Sequence, residues 1–203
     1  MTPHPQLYLA SASPRRRELL LQLGFSLATL PLDIDETRLA HEAPRDYVQR
    51  LAQTKAAVGW QRLMSEQRPL RPLLAADTTV VIGNDILGKP QDAVDARGML
   101  QRLSERRHQV FTAVAVQFEQ RLETVTSVSE VRFAKLSMAD IDGYIATGEP
   151  FDKAGAYGIQ GIAGAFVAGL NGSFTGVMGL PVYETAQLLA RFGVSLWSQE
   201  GCT

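Results

Sequence analysis

A short apolar run, Gln6–Ala10, reads as a buried strand near the start of the chain. It stops at Ser11-Ala12-Ser13-Pro14, where Ser13 as N-cap and Pro14 at the first helical position predict a helix. Arg16, Leu19, Leu20 and Leu23 follow at helical spacing, and Gly24 closes the helix. Phe25–Pro31 predicts a second strand, ahead of the acidic stretch Asp33-Ile34-Asp35-Glu36. A long helix is expected over Arg45–Ser65, with Val48, Leu51 and Val58 on one face. Leu73–Gly83, LLAADTTVVIG, is a strong strand that turns at Asn84-Asp85, and Ile86–Gly88 returns toward Lys89-Pro90.

Ala93–Leu103 carries a helical pattern. Val110–Phe118 and Thr124–Phe133 alternate as two antiparallel strands around a turn near Gln120. Ser137 caps a helix over Met138–Ala146 that ends at Gly148. Residues 154–181 are dense in glycine, which predicts loops and short strands, and Pro181 starts a last helix to about Arg191. Helices and strands interleave throughout, without repeats, heptads or linkers. The expected fold is α/β: a mixed, twisted β-sheet with flanking helices, as a single domain over 1–203.

Composition narrows the function classes. The 203 residues carry 20 Lys plus Arg against 21 Asp plus Glu, a formal charge of −1, which offers no field for wrapping nucleic acid. No aromatic-basic stripe suggests a single-strand platform either. Cys202 is the sole cysteine, so no intrachain disulfide is expected. The first residues carry no signal-peptide pattern, and no run approaches the ~18 apolar residues of a membrane span. A cytoplasmic protein without membrane partners is the expectation.

Some residues break local rules, as functional residues tend to. Arg15-Arg16-Arg17 fill the first turn of the first helix. The positive end of the helix dipole disfavours cations there by roughly 0.3–1 kcal/mol each. A bound anion such as phosphate would reverse the sign, and solvated arginines are the plain alternative. Asp77 interrupts an apolar strand, and Thr78-Thr79 extend the interruption. A carboxylate in that setting must be paired, hydrogen-bonded or bound to a cation. Lys55 shares a helical stripe with Leu51 and Val58, placed either to snorkel to water or to reach a phosphate. Lys89, between Gly88 and Pro90, sits on a rigid turn that would aim its ammonium. Asp33, Asp35 and Glu36 would suit Mg²⁺, although an acidic loop is commonly just solvated.

Several constellations are absent. There is no GxxxxGK[ST] loop, no dinucleotide fingerprint around Gly158, Gly161 and Gly164, and no nucleophile elbow. His4, His41 and His108 are scattered and form no metal pair.

The combination of LASASPRR (9–16), IDE (34–36), Lys55, AADT (75–78), Lys89-Pro90, DKAGAYGIQG (152–161) and GLP (179–181) resembles the Maf family of nucleotide pyrophosphatases. The pieces stand in family order over nearly the whole chain. Gly176 departs from the side chain often found there. The resemblance implies a fold similar to the inosine-triphosphate pyrophosphatases, with two lobes around a cleft. It implies cleavage of a nucleoside triphosphate between the α- and β-phosphates, with Mg²⁺ or Mn²⁺. Asp77 matches the family's proton acceptor, and Arg15, Thr78 and Gln160 match positions tied to base choice. Their identities resemble the dTTP/UTP-hydrolysing branch more than the 7-methyl-GTP branch. Ser13, Arg16, Lys55 and Lys89 would bind phosphates, and Glu36 with Asp77 would hold the metal. Family members are often dimers, so a homodimer is expected. A septum or division regulator acting by binding is the reading from a different class.

Overall fold

The computed structural model describes residues 5–196, so Cys202 and His4 lie outside the described residues. Two compact units are formed. The first comprises Met1–Asp77, Ala113–Thr126 and Gly179–Thr203; the second comprises Thr78–Thr112 and Ser127–Met178.

In the first unit, β1 (Leu7–Leu9) is buried on both faces and runs parallel to β2 (Leu27–Thr29) and to the start of β3 (Leu73–Ile82), whose residues up to Asp77 belong to this unit. Continuous burial is what an all-apolar central strand such as Leu-Tyr-Leu satisfies. Helix α1 (Pro14–Gln22) starts where expected, with Ser13 at the N-cap and Gly24 in a left-handed conformation just past its end. Helix α2 spans Pro44–Ser65.

Its buried face is made of Val48, Leu51, Ala52, Ala56, Gly59, Trp60 and Leu63. Val58 is 41% exposed, against the expectation from spacing. The close contact is carried by the small residues Ala52, Ala56 and Gly59, and a Cβ on Gly59 would stand 2.8 Å from Leu73. At ~100° per residue this centres the buried arc about a quarter turn from Leu51. Val58 then falls just past one edge, and Lys55 falls inside.

In the second unit, β4 (Asp85–Leu87) pairs antiparallel with β3. The two turn residues are Gly83-Asn84 rather than Asn84-Asp85, because Ile82 pairs with Asp85. Gly83 supplies the positive φ of 62° that the turn requires. Helix α3 (Ala93–Leu103) and helix α4 (Met138–Ala146) match their predicted spans. Ser137 and Asp140 close a reciprocal capping box on α4.

Strand β5 begins at Arg107 rather than Val110, and β6 at Arg121 rather than Thr124, ending at Phe118 and Phe133. Charged residues extend both strands because a ladder edge in water accepts paired charges, as in Arg107–Glu130 at 2.7 Å. The glycine-rich stretch forms two short 3-10 turns, Ala154–Ala156 and Ile162–Phe166, strand β7 (Val167–Asn171) and one short helix, α5 (Phe174–Met178). That helix was not expected; Ser173 starts it, its hydroxyl accepting from Gly176 N at 2.9 Å. The last helix, α6, spans Val182–Arg191.

The strand order is β2-β1-β3-β5-β6-β7, with β4 on β3, a mixed seven-stranded sheet. No described helix is long and apolar enough to cross a membrane.

Candidate active site

Strand β3 carries Asp77, which ends the first of the three chain segments of the first unit and is only 7% exposed. Its Oδ1 accepts from Lys55 Nζ at 2.7 Å, and the same ammonium lies 2.6 Å from Glu36 Oε1. Lys55 reaches them from the buried arc of α2, its side chain 12% exposed. Burial pushes the Asp77 carboxyl above its ordinary 3.8; Lys55 and then Arg16 oppose the shift, and Glu36 adds to it.

The loop bearing Glu36 is stapled to α2. Tyr47 donates from its hydroxyl to the Glu36 carbonyl at 2.9 Å. Arg50 closes its fork on Glu42 at 2.6 and 2.8 Å and donates to Thr37 O at 3.1 Å. Burial raises the Tyr47 phenol, with Asp77 and Glu36 adding to the shift, so it stays a neutral donor. Asp35 turns back to accept from Thr37 N at 2.8 Å, and Asp33 is exposed. Of the three acidic residues expected to act together, Glu36 alone shares a partner with Asp77. The loop's own turn consumes Asp35.

Arg16, at the third position of α1, donates from Nε to Gly179 O at 2.9 Å and from Nη1 to Ser11 Oγ at 3.2 Å. Ser13 Oγ caps the helix by accepting from Arg16 N at 3.5 Å. Burial lowers the Arg16 guanidinium from its usual range, opposed by Asp77; neighbouring Arg15 lowers it further, and Glu36 raises it. Arg15 is half-buried in the same turn. Ser13, Arg15, Arg16, Lys55, Glu36 and Asp77 therefore all stand in the first unit.

Two carboxylate oxygens converging on one point within 2.7 Å form a donor set that fits Mg²⁺ or Mn²⁺. Such ions take one or two carboxylates and keep other positions for water and phosphate. Among the described residues no three His, Cys, Asp or Glu side chains group as a metal cluster.

The second unit holds Thr78, Lys89 and Gln160 on three different elements. Thr78 Oγ1 lies 2.9 Å from Thr112 Oγ1, which in turn donates to Gly176 O at 2.7 Å. A carbonyl only accepts, so Thr112's single proton goes to Gly176 and Thr78's proton goes to Thr112. Thr78 is thereby left as an acceptor toward any further group. Lys89 is exposed on the turn after β4.

Gln160 is exposed at the tip of a loop that Glu149 holds from inside. Glu149 accepts from Tyr144 Oη at 3.0 Å and from Ile162 N at 3.1 Å. A Cβ on Gly161 would collide with that carboxylate, and one on Gly158 would stand 2.7 Å from Lys153 Cε. Lys153 Nζ donates to Glu149 O and contacts Asp152 Oδ1, each at 2.6 Å.

Sequence reasoning assigned no role to Thr112, Glu149 or Lys153. The signals were present: a threonine inside the apolar run of β5, and glycines at 158 and 161 that mark close approach by neighbours.

A family model described as Maf-like protein matches residues 6–192. A protein of Chromobacterium violaceum named dTTP/UTP pyrophosphatase is 56% identical over 195 residues, covering 96% of this chain and 98% of that protein. One of the same name from Pasteurella multocida is 54% identical over 196 residues, covering 95% and 98%. Among solved structures, the Staphylococcus aureus Ham1 protein superposes over 63% of this chain and 71% of that chain, with TM-score 0.43 and 11% identity. That last likeness is too partial to bear on function. With the family match running through Ser13, Asp77 and the glycine-rich loop to α6, the chain belongs to the family of Maf-like proteins.

Proposed function

We propose that the protein is a nucleoside triphosphate pyrophosphatase that hydrolyses dTTP and UTP to the monophosphate and pyrophosphate. The observation that carries this reading is Asp77: a buried carboxylate on a rigid strand, 2.7 Å from a lysine ammonium, in a chain whose close relatives bear that activity in their names. A carboxyl pushed up by burial is a better base than an ordinary aspartate, and the strand gives it a fixed direction.

In this reading Asp77 takes the proton from a water that attacks the α-phosphorus. The bond between that phosphorus and the α–β bridging oxygen breaks, and the electron pair leaves with pyrophosphate. Arg16, Lys55, Lys89 and the N-terminus of α1 behind Ser13 neutralise the polyphosphate. Glu36, with Asp77, would hold Mg²⁺ or Mn²⁺, which when bound spreads negative charge off the phosphate oxygens. One carboxylate serves poorly as base and ligand together, so Asp77 is assigned first as base. Arg15, Thr78 and Gln160 read the base. The acceptor polarity of Thr78 suits the N3–H of thymine or uracil, which cytosine lacks. The reading carries with it a cytoplasmic setting, where nucleotide pools are held, and a homodimer, as the family resemblance implies.

The test is a panel of dTTP, UTP, CTP and 7-methyl-GTP with Mg²⁺ or Mn²⁺ and product identification. Pyrophosphate and monophosphate from dTTP and UTP are expected. Preference for 7-methyl-GTP would overturn the substrate assignment alone, and orthophosphate as the sole product would overturn the chemistry.

A further inference from the structure

Lys55 stands where a divalent cation would. Its ammonium touches Glu36 Oε1 at 2.6 Å and Asp77 Oδ1 at 2.7 Å, so one positive centre already bridges both carboxylates. The Lys55 and Asp77 side chains are 12% and 10% exposed, whereas that of Glu36 is 51% exposed. The arrangement is therefore deep on the strand side and open on the loop side. An ammonium and a metal ion held within ~3 Å of the same two oxygens repel each other, the more so as water is excluded. Without a cation in the place of Lys55, the two carboxylates would share only the influence of Arg16, which in a partly buried setting is unfavourable. Some cation must stay.

We propose that Lys55 is the resident cation of the Glu36–Asp77 pair in the nucleotide-free protein, and that it yields this place to a divalent metal only when a triphosphate draws its ammonium away. This rests on the assignment of Glu36 and Asp77 to the metal. Lys55 then has two successive partners: the carboxylate pair before substrate arrives, and phosphate oxygens afterwards. Arg16, whose Nε and Nη1 donate to Gly179 O and Ser11 Oγ, also acts on the Asp77 carboxyl; Lys55 is the ammonium that touches both carboxylates. The functional gain is that the carboxylates stay closed to free metal and open to a metal–nucleotide complex.

The experiment is Mn²⁺ titration of the full chain, read by the electron paramagnetic resonance of free Mn²⁺, without nucleotide and with an α,β-imido UTP analogue. Without nucleotide, Lys55→Met is expected to bind one Mn²⁺ at least about tenfold more tightly than the wild type, since a competing full charge is gone. Lys55→Arg, which keeps a cation, is expected to bind as weakly as the wild type. With the analogue, the wild type is expected to gain a site that Glu36→Gln weakens. Should Lys55→Met misfold by circular dichroism, Lys55→Gln carries the same expectation. Equal Mn²⁺ affinity of wild type and Lys55→Met without nucleotide, with Glu36→Gln weakening both, would overturn the role of Lys55 while leaving the metal assignment standing. Mn²⁺ binding that Glu36→Gln leaves unchanged in every condition would overturn the metal assignment and this proposal together.

Discussion

Two buried titratable groups, one in each unit, meet the same cost in opposite ways. Asp77 is 7% exposed and His108 2%. Around Asp77 the protein assembles charge: Lys55 at 2.7 Å, with Arg16 acting on the same carboxyl. Around His108 it assembles rings, Phe133 at 5.1 Å and Tyr157 at 5.4 Å edge to face, and one polar contact, Nε2 to Tyr157 Oη at 2.8 Å. Burial drives the imidazole down from 6.5 to about 4, and Nδ1 has no partner among the described residues. The histidine is thus kept neutral as a polar piece of the core, while the aspartate is surrounded by cations that favour its charge. Burial flags an expensive group; the sign and number of its charged neighbours separate a reactive one from a structural one.

The largest expected effect tests the aspartate. Asp77→Asn should lose roughly 100–1000-fold in turnover, as for other single electrostatic groups in active sites, while its melting transition persists. Pyrophosphate release by a folded mutant at the wild-type rate would sink the assignment.

Acid separates the two regions next. His108 has a folded value below its unfolded one, so its contribution is fully present above about 6.5 and is lost as pH falls toward about 4. The loss amounts to roughly 3 kcal/mol. Asp77 has the opposite sign: its raised value means that protonation relieves the native state as pH falls, and the same protonation removes the base. Urea unfolding should therefore show stability falling from pH 7 to pH 4, flattened in His108→Gln. The acid limb of the rate profile should persist in that variant and lie above the ordinary 3.8 of an aspartate.

Glu149→Ala comes third. It strips the acceptor from Tyr144 Oη and Ile162 N, a cost of about 1–3 kcal/mol, and loosens the loop that carries Gln160. A raised KM for UTP with a smaller change in kcat is the expected signature. The smallest effect is in selectivity: Thr112→Val removes the group that fixes the Thr78 hydroxyl, and the UTP-over-CTP ratio of kcat/KM should fall by about tenfold. Thr112→Ser should restore it; a ratio unmoved by Thr112→Val would detach Thr112 from base choice.

Much of this was legible along the chain. Ser13 and Ser137 mark their helices because a cap is a local bond, closed within three residues. Asp77 and the Arg15–Arg17 run stood out because each contradicts its own element. Lys55 was ambiguous between water and an anionic partner, since the choice depends on how far α2 sinks against β3, and the small residues Ala52, Ala56 and Gly59 set that depth. Along the chain Asp33, Asp35 and Glu36 form one acidic stretch in which only the family resemblance singles out Glu36; in the fold its contact with Lys55 does so, on a loop held by Tyr47 and Arg50.

Local order therefore came from the chain alone: where helices start and stop, which strands are buried, and which charged residues are out of place. Those properties depend on neighbours a few positions apart. The pairing of Lys55 with both Glu36 and Asp77, the proton direction from Thr78 through Thr112 to Gly176, and the carboxylate of Glu149 inside the glycine loop needed the folded molecule. Each links residues far apart in sequence, and a hydrogen bond or ion pair exists only once packing brings its atoms within about 3 Å.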